Sequence, residues 1–159
     1  MRYKVAPPPR SLDFLTRARG AVPLVPDDEA DCCRAIQRAT DVSDREQARA
    51  YLTFLRALGL VAETDRGYHR TRDAIDHEAL ATAYHENVFL VAELLDAVDA
   101  GADDPTSAFE AVRGDIPRWE RERDPEWEQR WRRRVDNLLD WAAVVGSLTR
   151  ADGRLDTAQ

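Results

Sequence analysis

Arginine is the residue type whose placement in this sequence could do chemistry, because its guanidinium group binds phosphate oxygens through a fork of donors. Residues 42–72 contain six arginines and four acids, a local charge of +2, whereas residues 73–115 contain eleven acids and one arginine. Arg45, Arg49 and Arg56 recur at steps of four and seven, which places them on one line of a helix. The alternative interpretation is that these arginines are solvated or paired with nearby acids.

The other residue types form no catalytic or metal-binding pattern. The histidines are His69, His77 and His85, and the last two lie about 80° apart around a helix, so they do not form the chelate of a four-residue spacing. The sequence has no Gly-rich phosphate loop, nucleophile elbow or CxxC pair. Its many carboxylates are expected on a solvated surface and do not indicate catalysis. The sequence therefore predicts a non-enzymatic protein without a metal or a cofactor.

A second group of candidate residues lies in residues 119–134, where tryptophans and arginines alternate with acids. Trp and Arg are frequent interface anchors, so this segment is a candidate docking surface or second nucleic-acid face. The alternative is that the tryptophans pack inward and the arginines stay in water. Glu126 and Arg130 are expected to form a four-residue ion pair. The candidate partner-interface residues are Trp119, Trp127, Arg130 and Arg134.

The composition indicates a folded protein with an acidic surface. The 159 residues are 43% hydrophobic, carry a net charge of -7 and include one lysine, Lys4. This balance resembles the proteins of salt-loving archaea, in which hydrated carboxylates maintain solubility. No run approaches the roughly 18 apolar residues of a membrane span, and residues 1–10 lack the apolar core of a signal peptide. A cytoplasmic protein that contacts no membrane is expected.

The two cysteines are adjacent on a predicted helix. Their side chains point about 100° apart, which disfavours a disulfide or a shared metal. Cys33 is expected in the core and Cys32 at a partly exposed position.

Local signals for helix starts and ends predict three helices, followed by a hairpin, in the first 72 residues. Ser43 and Glu46 have the spacing of a capping box, apolar residues follow at helical intervals, and Gly59 ends that helix. A strand, a turn and a second strand follow up to residue 71. Upstream, helices are predicted over 11–19, capped by Ser11 and stopped by Gly20, and over 27–40. Residues 21–26 are expected to form an extended connector or edge strand.

This order of elements resembles the winged-helix form of the helix-turn-helix over residues 10–72. The resemblance rests on Ile36, Val42, Ser43, Leu52, Leu55, Leu58, Gly59, Leu60, Val61, Gly67 and Tyr68. In winged-helix DNA binders the second helix of the motif enters the major groove and the wing touches the flanking backbone. The resemblance implies DNA contacts at Arg45, Gln47, Arg49, Arg56, Arg66, His69 and Arg70.

The second half repeats part of this pattern. When the sequence is aligned with itself at an offset of 87 residues, Phe54 aligns with Trp141 and Gly59 aligns with Gly146. The corresponding helices of a second winged unit are predicted over 86–100, 105–113 and 125–145, the middle one capped by Asp104 with Pro105 at its first position. The alternative is that the C-terminal helices form a packing or dimerisation extension.

The predicted fold is mainly α with small β-hairpin wings, most simply two winged units in tandem. The predicted segments are an extended Pro-rich arm (1–10), a winged-helix domain (11–72), a linking central helix (73–100) and a second winged-helix-like or helical packing unit (101–159).

The functional hypothesis is a transcription-regulator-like protein that binds double-stranded DNA. The alternative is a protein-protein interaction module, such as a tandem winged-helix accessory subunit of a chromosome or transcription complex, or a homodimer. DNA binding requires Arg45, Arg49 and Arg70 to be exposed together. An interaction module instead requires an exposed apolar patch around Trp119, Trp127 or residues 21–26.

Overall fold

The first half of the chain folds into three helices and a hairpin. The computed structural model describes residue 3 and residues 5–157. Residues 1, 2 and 4 of the predicted arm, and 158 and 159 of the predicted second unit, lie outside the described residues. The elements of the first unit are α1 (Leu12–Ala21), α2 (Glu29–Ala39), α3 (Arg45–Ala57), β1 (Val61–Thr64) and β2 (Gly67–Arg70).

Side-chain caps set where these helices begin. The Ser11 hydroxyl accepts a hydrogen bond from the Phe14 N–H at 3.1 Å, as predicted. The prediction of Ser43 as the cap of α3 is wrong, because Asp44 holds the extended backbone before the first helical residue and accepts from the Glu46 N–H at 2.8 Å. A carboxylate here also interacts favourably with the helix dipole. Nor does Gly20 stop α1, which continues through Ala21.

The wing of the first unit is anchored on a third extended segment. Strands β1 and β2 pair antiparallel, with Thr64 opposite Gly67. Asp27 exchanges backbone hydrogen bonds with Tyr68 at 3.0 and 2.7 Å, so the chain leaving residues 21–26 meets the hairpin as an edge partner. Gly67 has φ +120°, and a Cβ on it would lie 2.1 Å from the Asp27 carbonyl oxygen. The wing and the start of α2 therefore form one packed unit.

The second half repeats this arrangement. Its elements are α4 (His77–Asn87), α5 (Val91–Asp99), α6 (Pro105–Val112), a 3₁₀ turn (Arg113–Asp115), α7 (Arg118–Arg123), α8 (Trp127–Val144), β3 (Leu148–Ala151) and β4 (Arg154–Thr157). The Leu155 N–H donates to the Asp103 carbonyl at 2.8 Å, as Tyr68 does to Asp27 in the first unit. Helices α5, α6 and α8 with the β3–β4 hairpin thus correspond to α1, α2, α3 and the β1–β2 hairpin.

The two units differ by an insertion between their second and third helices. Tyr68 and Leu155 are 87 positions apart, whereas Asp27 and Asp103 are 76 apart, so the second unit holds 11 additional residues. They include α7, where the first unit has only the short turn between α2 and α3. The second unit therefore lacks a tight helix-turn-helix.

The prediction of one central helix over 73–100 is wrong. The helix breaks between α4 and α5, where Val88 is extended and Leu90 has φ +77°. The N-terminal arm crosses this break: the Tyr3 N–H donates to the Asn87 carbonyl, and the Phe89 N–H donates to the Tyr3 carbonyl, both at 2.8 Å. Because hydrogen bonds to the arm satisfy the backbone groups at the break, the helix can end there without unpaired donors or acceptors.

The units share one hydrophobic core that is centred on their third helices. The Phe54 ring of α3 and the Trp141 ring of α8 lie 4.5 Å apart between centroids. The Tyr84 hydroxyl of α4 donates to the Leu138 carbonyl at 2.6 Å. The N-terminal arm is bonded to both units at this contact between α3 and α8. Trp141 Nε1 donates to the Pro7 carbonyl and the Tyr51 hydroxyl donates to the Pro8 carbonyl, each at 2.7 Å.

Both cysteines are buried free thiols, so the expectation that Cys32 is partly exposed is wrong. Cys32 points at the wing, with its Sγ 3.7 Å from the Asp27 carbonyl oxygen. Burial, reinforced by nearby acids, raises the pKa of the Cys32 thiol to about 11.

None of the helices in the described part of the chain is both long and apolar enough to cross a membrane.

Replacing Trp141 with Phe keeps an aromatic ring against Phe54 but removes the donor to the Pro7 carbonyl. We expect the free energy of unfolding to fall by about 1–2 kcal/mol, the usual cost of losing one buried hydrogen bond partner. Denaturant unfolding at fixed KCl measures this change. The control is Trp119→Phe on the exposed surface of α7, and equal destabilisation by both variants would contradict the role of the arm.

Candidate nucleic-acid interface

Three of the predicted DNA-contacting arginines form a ridge along α3, which we call the α3 ridge: Arg45, Arg49 and Arg56. All three are exposed and lie within about 40° of one another around the helix axis. Arg49 pairs with Glu29 of α2 at 3.1 Å and Arg56 pairs with Glu63 of β1 at 2.7 Å. Arg45 forms no ion pair with any described residue. The ridge therefore lies between the start of α2 and the wing.

The predicted wing residues take different positions. Arg66 is exposed in the turn between β1 and β2. Arg70 is half-buried, and its Nη1 donates to the Gly20 carbonyl at 3.0 Å, which ties β2 to α1. His69 is also half-buried, with Nδ1 3.2 Å from the Arg70 carbonyl oxygen. Of these three side chains, Arg66 is the one placed to reach a ligand.

Gln47 is exposed but lies about 200° around α3 from Arg45, on another side of the helix. The structure thus does not bring it together with the ridge. The expectation that Arg45, Arg49 and Arg70 are exposed together is wrong, because Arg70 is half-buried and bonded to the Gly20 carbonyl. Arg66 is the exposed arginine of the first wing.

The face of α3 that points away from the first-unit core is partly covered. Ala50 and Thr53 line a groove of about 320 Å³ whose other wall is Tyr3 and Val5 of the N-terminal arm. Phe54 is buried against the second unit. Consequently α3 presents its flank to solvent rather than the whole of its outer face. The prolines of the arm predict an extended segment, but only the tertiary structure places that segment on α3.

The predicted partner-interface residues are spread over two helices. Trp119 is 52% exposed on α7, whereas Trp127 is half-buried under the Arg113 guanidinium group at 5.1 Å. Arg130 pairs with Asp124 at 2.7 Å. The predicted Glu126–Arg130 ion pair is wrong, because the Arg130 guanidinium group pairs with Asp124 instead and Glu126 is the cap residue before α8.

A basic groove lies between α6 and the N-terminal half of α8, and we call it the α8 groove. The groove has a volume of about 790 Å³, and the arginines that line it are Arg130, Arg132, Arg133 and Arg134. Burial lowers the pKa of Arg134, whose guanidinium group lies 4.7 Å above the Trp131 ring. The sequence predicts Arg130 and Arg134 as partner-interface residues, and the structure adds Arg132 and Arg133 of the same run to the groove.

Among the residues that the structure describes, one acidic cluster, at the start of α2, has carboxylates close enough to surround a cation: Asp27, Asp28 and Asp31. Each is engaged within the protein. Asp27 accepts from the Asp28 N–H at 2.8 Å, Asp28 caps the Asp31 N–H at 2.7 Å, and Asp31 pairs with Arg34. These contacts account for the cluster as helix capping.

The position of the first wing depends on Gly67, which predicts a large cost for Gly67→Ala. Its new Cβ would meet the Asp27 carbonyl at 2.1 Å in a backbone conformation with φ +120°. We expect destabilisation of several kcal/mol, or failure to fold. The matched control is Gly153→Ala in the second wing, where φ is +76° and nothing lies within 4 Å of the new Cβ, so only about 1 kcal/mol is expected. Thermal unfolding followed by circular dichroism compares the two variants, and similar losses would contradict the close contact.

Comparison with known proteins agrees with this architecture. The family model described as the halobacterial double winged helix domain matches residues 1–159. No curated protein and no solved structure matches the chain. The match confirms three expectations from the sequence: the winged-helix resemblance, its tandem form and the resemblance to proteins of salt-loving archaea. With its two helical units, each ending in a hairpin, the chain belongs to the halobacterial double winged helix domain family.

Proposed function

We propose that this chain is a non-enzymatic, transcription-regulator-like protein of the cytoplasm that binds double-stranded DNA through the α3 ridge and the tip of the first wing. The observation that carries the proposal is the exposure of Arg45, Arg49, Arg56 and Arg66 on connected elements. The Arg56–Glu63 ion pair joins the ridge to β1 directly before the turn that holds Arg66. This arrangement suits contact with phosphates on both sides of a groove.

The acids that pair with the ridge leave its arginines available. Both ion pairs are exposed to water, where such pairs contribute little and are screened further by salt. A DNA phosphate can therefore replace Glu29 on Arg49 or Glu63 on Arg56 at a small cost. Glu29 and Glu63 act in this proposal as internal competitors of DNA.

The acidic segment 73–115 helps to orient the protein on DNA. Residues 73–115 carry eleven acids and one arginine, and they repel a duplex from that part of the surface. Electrostatic repulsion there favours encounters in which the first wing meets the DNA. Because phosphate contacts release counterions, this binding must weaken as the salt concentration rises.

The test is fluorescence anisotropy of a labelled mixed-sequence duplex titrated with protein over a KCl series. Arg45→Gln/Arg66→Gln should weaken binding about tenfold or more and reduce the salt slope. Glu29→Gln/Glu63→Gln should strengthen binding several-fold, because it removes the competing carboxylates.

Two control variants separate these effects from net charge. Arg118→Gln/Arg154→Gln removes two exposed arginines of the second unit, and Glu78→Gln/Glu86→Gln removes two exposed acids of α4. If the controls change affinity as much as the test variants do, the ridge is not the contact surface. If wild type fails to bind at the lowest KCl concentration at which it remains folded, the DNA proposal is wrong.

A second candidate function is protein-protein interaction, and exposed apolar side chains favour it. Val25 is 75% exposed and Leu24 is 45% exposed in the connector between α1 and α2. Adjacent exposed apolar side chains are a feature of protein-docking surfaces. If the DNA titration fails, self-association is the first partner to test, by sedimentation velocity of wild type and Leu24→Asp/Val25→Asp. A dimer that the variant loses would support this function.

A further inference from the structure

The outer face of α8 is more open and more basic than the outer face of α3. Arg130, Arg133, Arg134 and Asn137 lie within about 60° of Arg130 around the helix axis, so they share one face. They line the α8 groove together with Phe109 and the first turn of α6. The arm passes farther along α8, where Pro9 and Arg10 lie near Asp140 and Val144. The groove at the N-terminal half of α8 thus remains accessible.

The groove is positive in a protein whose net charge is -7. It contains four arginines and one acid, Asp136. Arg150 of β3 bonds to this acid at 2.5 Å and to Asp140 at 2.8 Å, so the Asp136 carboxylate is already paired from the other side. Arg130 pairs with Asp124, and Arg132 pairs with Glu110 and Glu128, so the uncompensated positive charge of the groove comes mainly from Arg133.

These arginines differ in how readily they can accept a ligand. Arg133 is exposed and pairs with no carboxylate of the described residues. The pairs of Arg132 with Glu110 and Glu128 are partly exposed to water and hence weak, whereas the Asp124 side chain that pairs with Arg130 is 19% exposed. The Nη1 of Arg134 is buried without a hydrogen-bond partner in the described part of the chain, so a ligand with several acceptor oxygens would first meet the exposed donors of Arg130 and Arg133.

Three of the four arginines of the groove have no basic counterparts at the corresponding positions of the first unit. At the 87-residue shift, the positions of Arg130, Arg133 and Arg134 correspond to Ser43, Glu46 and Gln47 of the first unit. Asp124, the partner of Arg130, comes from the 11-residue insertion that has no counterpart in the first unit. The groove is therefore a feature of this chain's second unit and is not repeated in the first.

We propose that the α8 groove is a second anion site, distinct from the α3 ridge, that binds a ligand carrying several phosphate groups through Arg130, Arg133 and Arg134, which share one face of α8. Guanidinium groups bind phosphate oxygens through paired, charge-assisted hydrogen bonds, and several arginines on one helix face match several phosphates better than one carboxylate. The phosphates are either those of a nucleic-acid backbone or those of a small polyphosphorylated molecule. Arg132 is held over the Phe109 ring at 4.4 Å, which fixes one side of the groove.

Isothermal titration calorimetry with sodium tripolyphosphate, and anisotropy with the labelled duplex, test the site on the full chain at the lowest KCl concentration that preserves the fold. Arg130→Gln/Arg133→Gln should weaken binding about tenfold or more, since it removes two charge-assisted contacts. Arg118→Gln/Arg154→Gln is the control of equal charge. If the double variant does not fold, Arg133→Gln alone replaces it, because Arg133 pairs with no described carboxylate.

Tripolyphosphate binding that only the groove variant loses supports a site for a small polyphosphorylated ligand. Duplex binding without tripolyphosphate binding, again lost only by the groove variant, supports a nucleic-acid backbone as the ligand. Failure of wild type to bind either probe overturns the proposal, as does equal weakening in the control. If Arg45→Gln/Arg66→Gln abolishes duplex binding while the groove variant binds both probes like wild type, the groove proposal fails and the DNA proposal stands.

Discussion

The contact between α3 and α8 is the interaction on which the rest of this structure depends. Phe54 and Trp141 occupy corresponding positions of the two units, 87 residues apart, and their rings meet at 4.5 Å. Contact between corresponding residues is what a two-fold arrangement produces. Both rings are buried, and the prolines of the arm accept hydrogen bonds from Trp141 and Tyr51 above them. The two units are therefore halves of one core.

This contact limits how either third helix can meet a ligand. In a single winged unit the outer face of the third helix is free for a DNA groove. Here part of that face is used for the contact between units, and the arm lies beside Ala50 and Thr53 of α3. What remains free is the flank of α3 with its arginine ridge, and the N-terminal half of α8. The units present different surfaces because the arm and the insertion are not symmetric.

Much of the secondary structure was determined by the sequence alone, because its signals are local. Ser11 and Asp104 cap their helices, Gly59 and Gly146 end α3 and α8 with positive φ, and the apolar spacing of α3 and α8 sets their buried faces. The 87-residue shift identified the tandem units for the same reason, since corresponding cores need the same spacing. The ridge of Arg45, Arg49 and Arg56 was also visible, because a helical period alone places these residues in line.

Only the tertiary structure decided the features that depend on distant parts of the chain. The break between α4 and α5 requires backbone groups of Tyr3, more than 80 residues away, and no local pattern in 73–100 records that partner. Arg70 bonds to Gly20 and Arg130 to Asp124, so the availability of each arginine depended on neighbours brought by folding. The sequence set which charges lie on which helix. Packing set which of those charges are free to bind a ligand, because ion pairs and burial are decided by contacts in space.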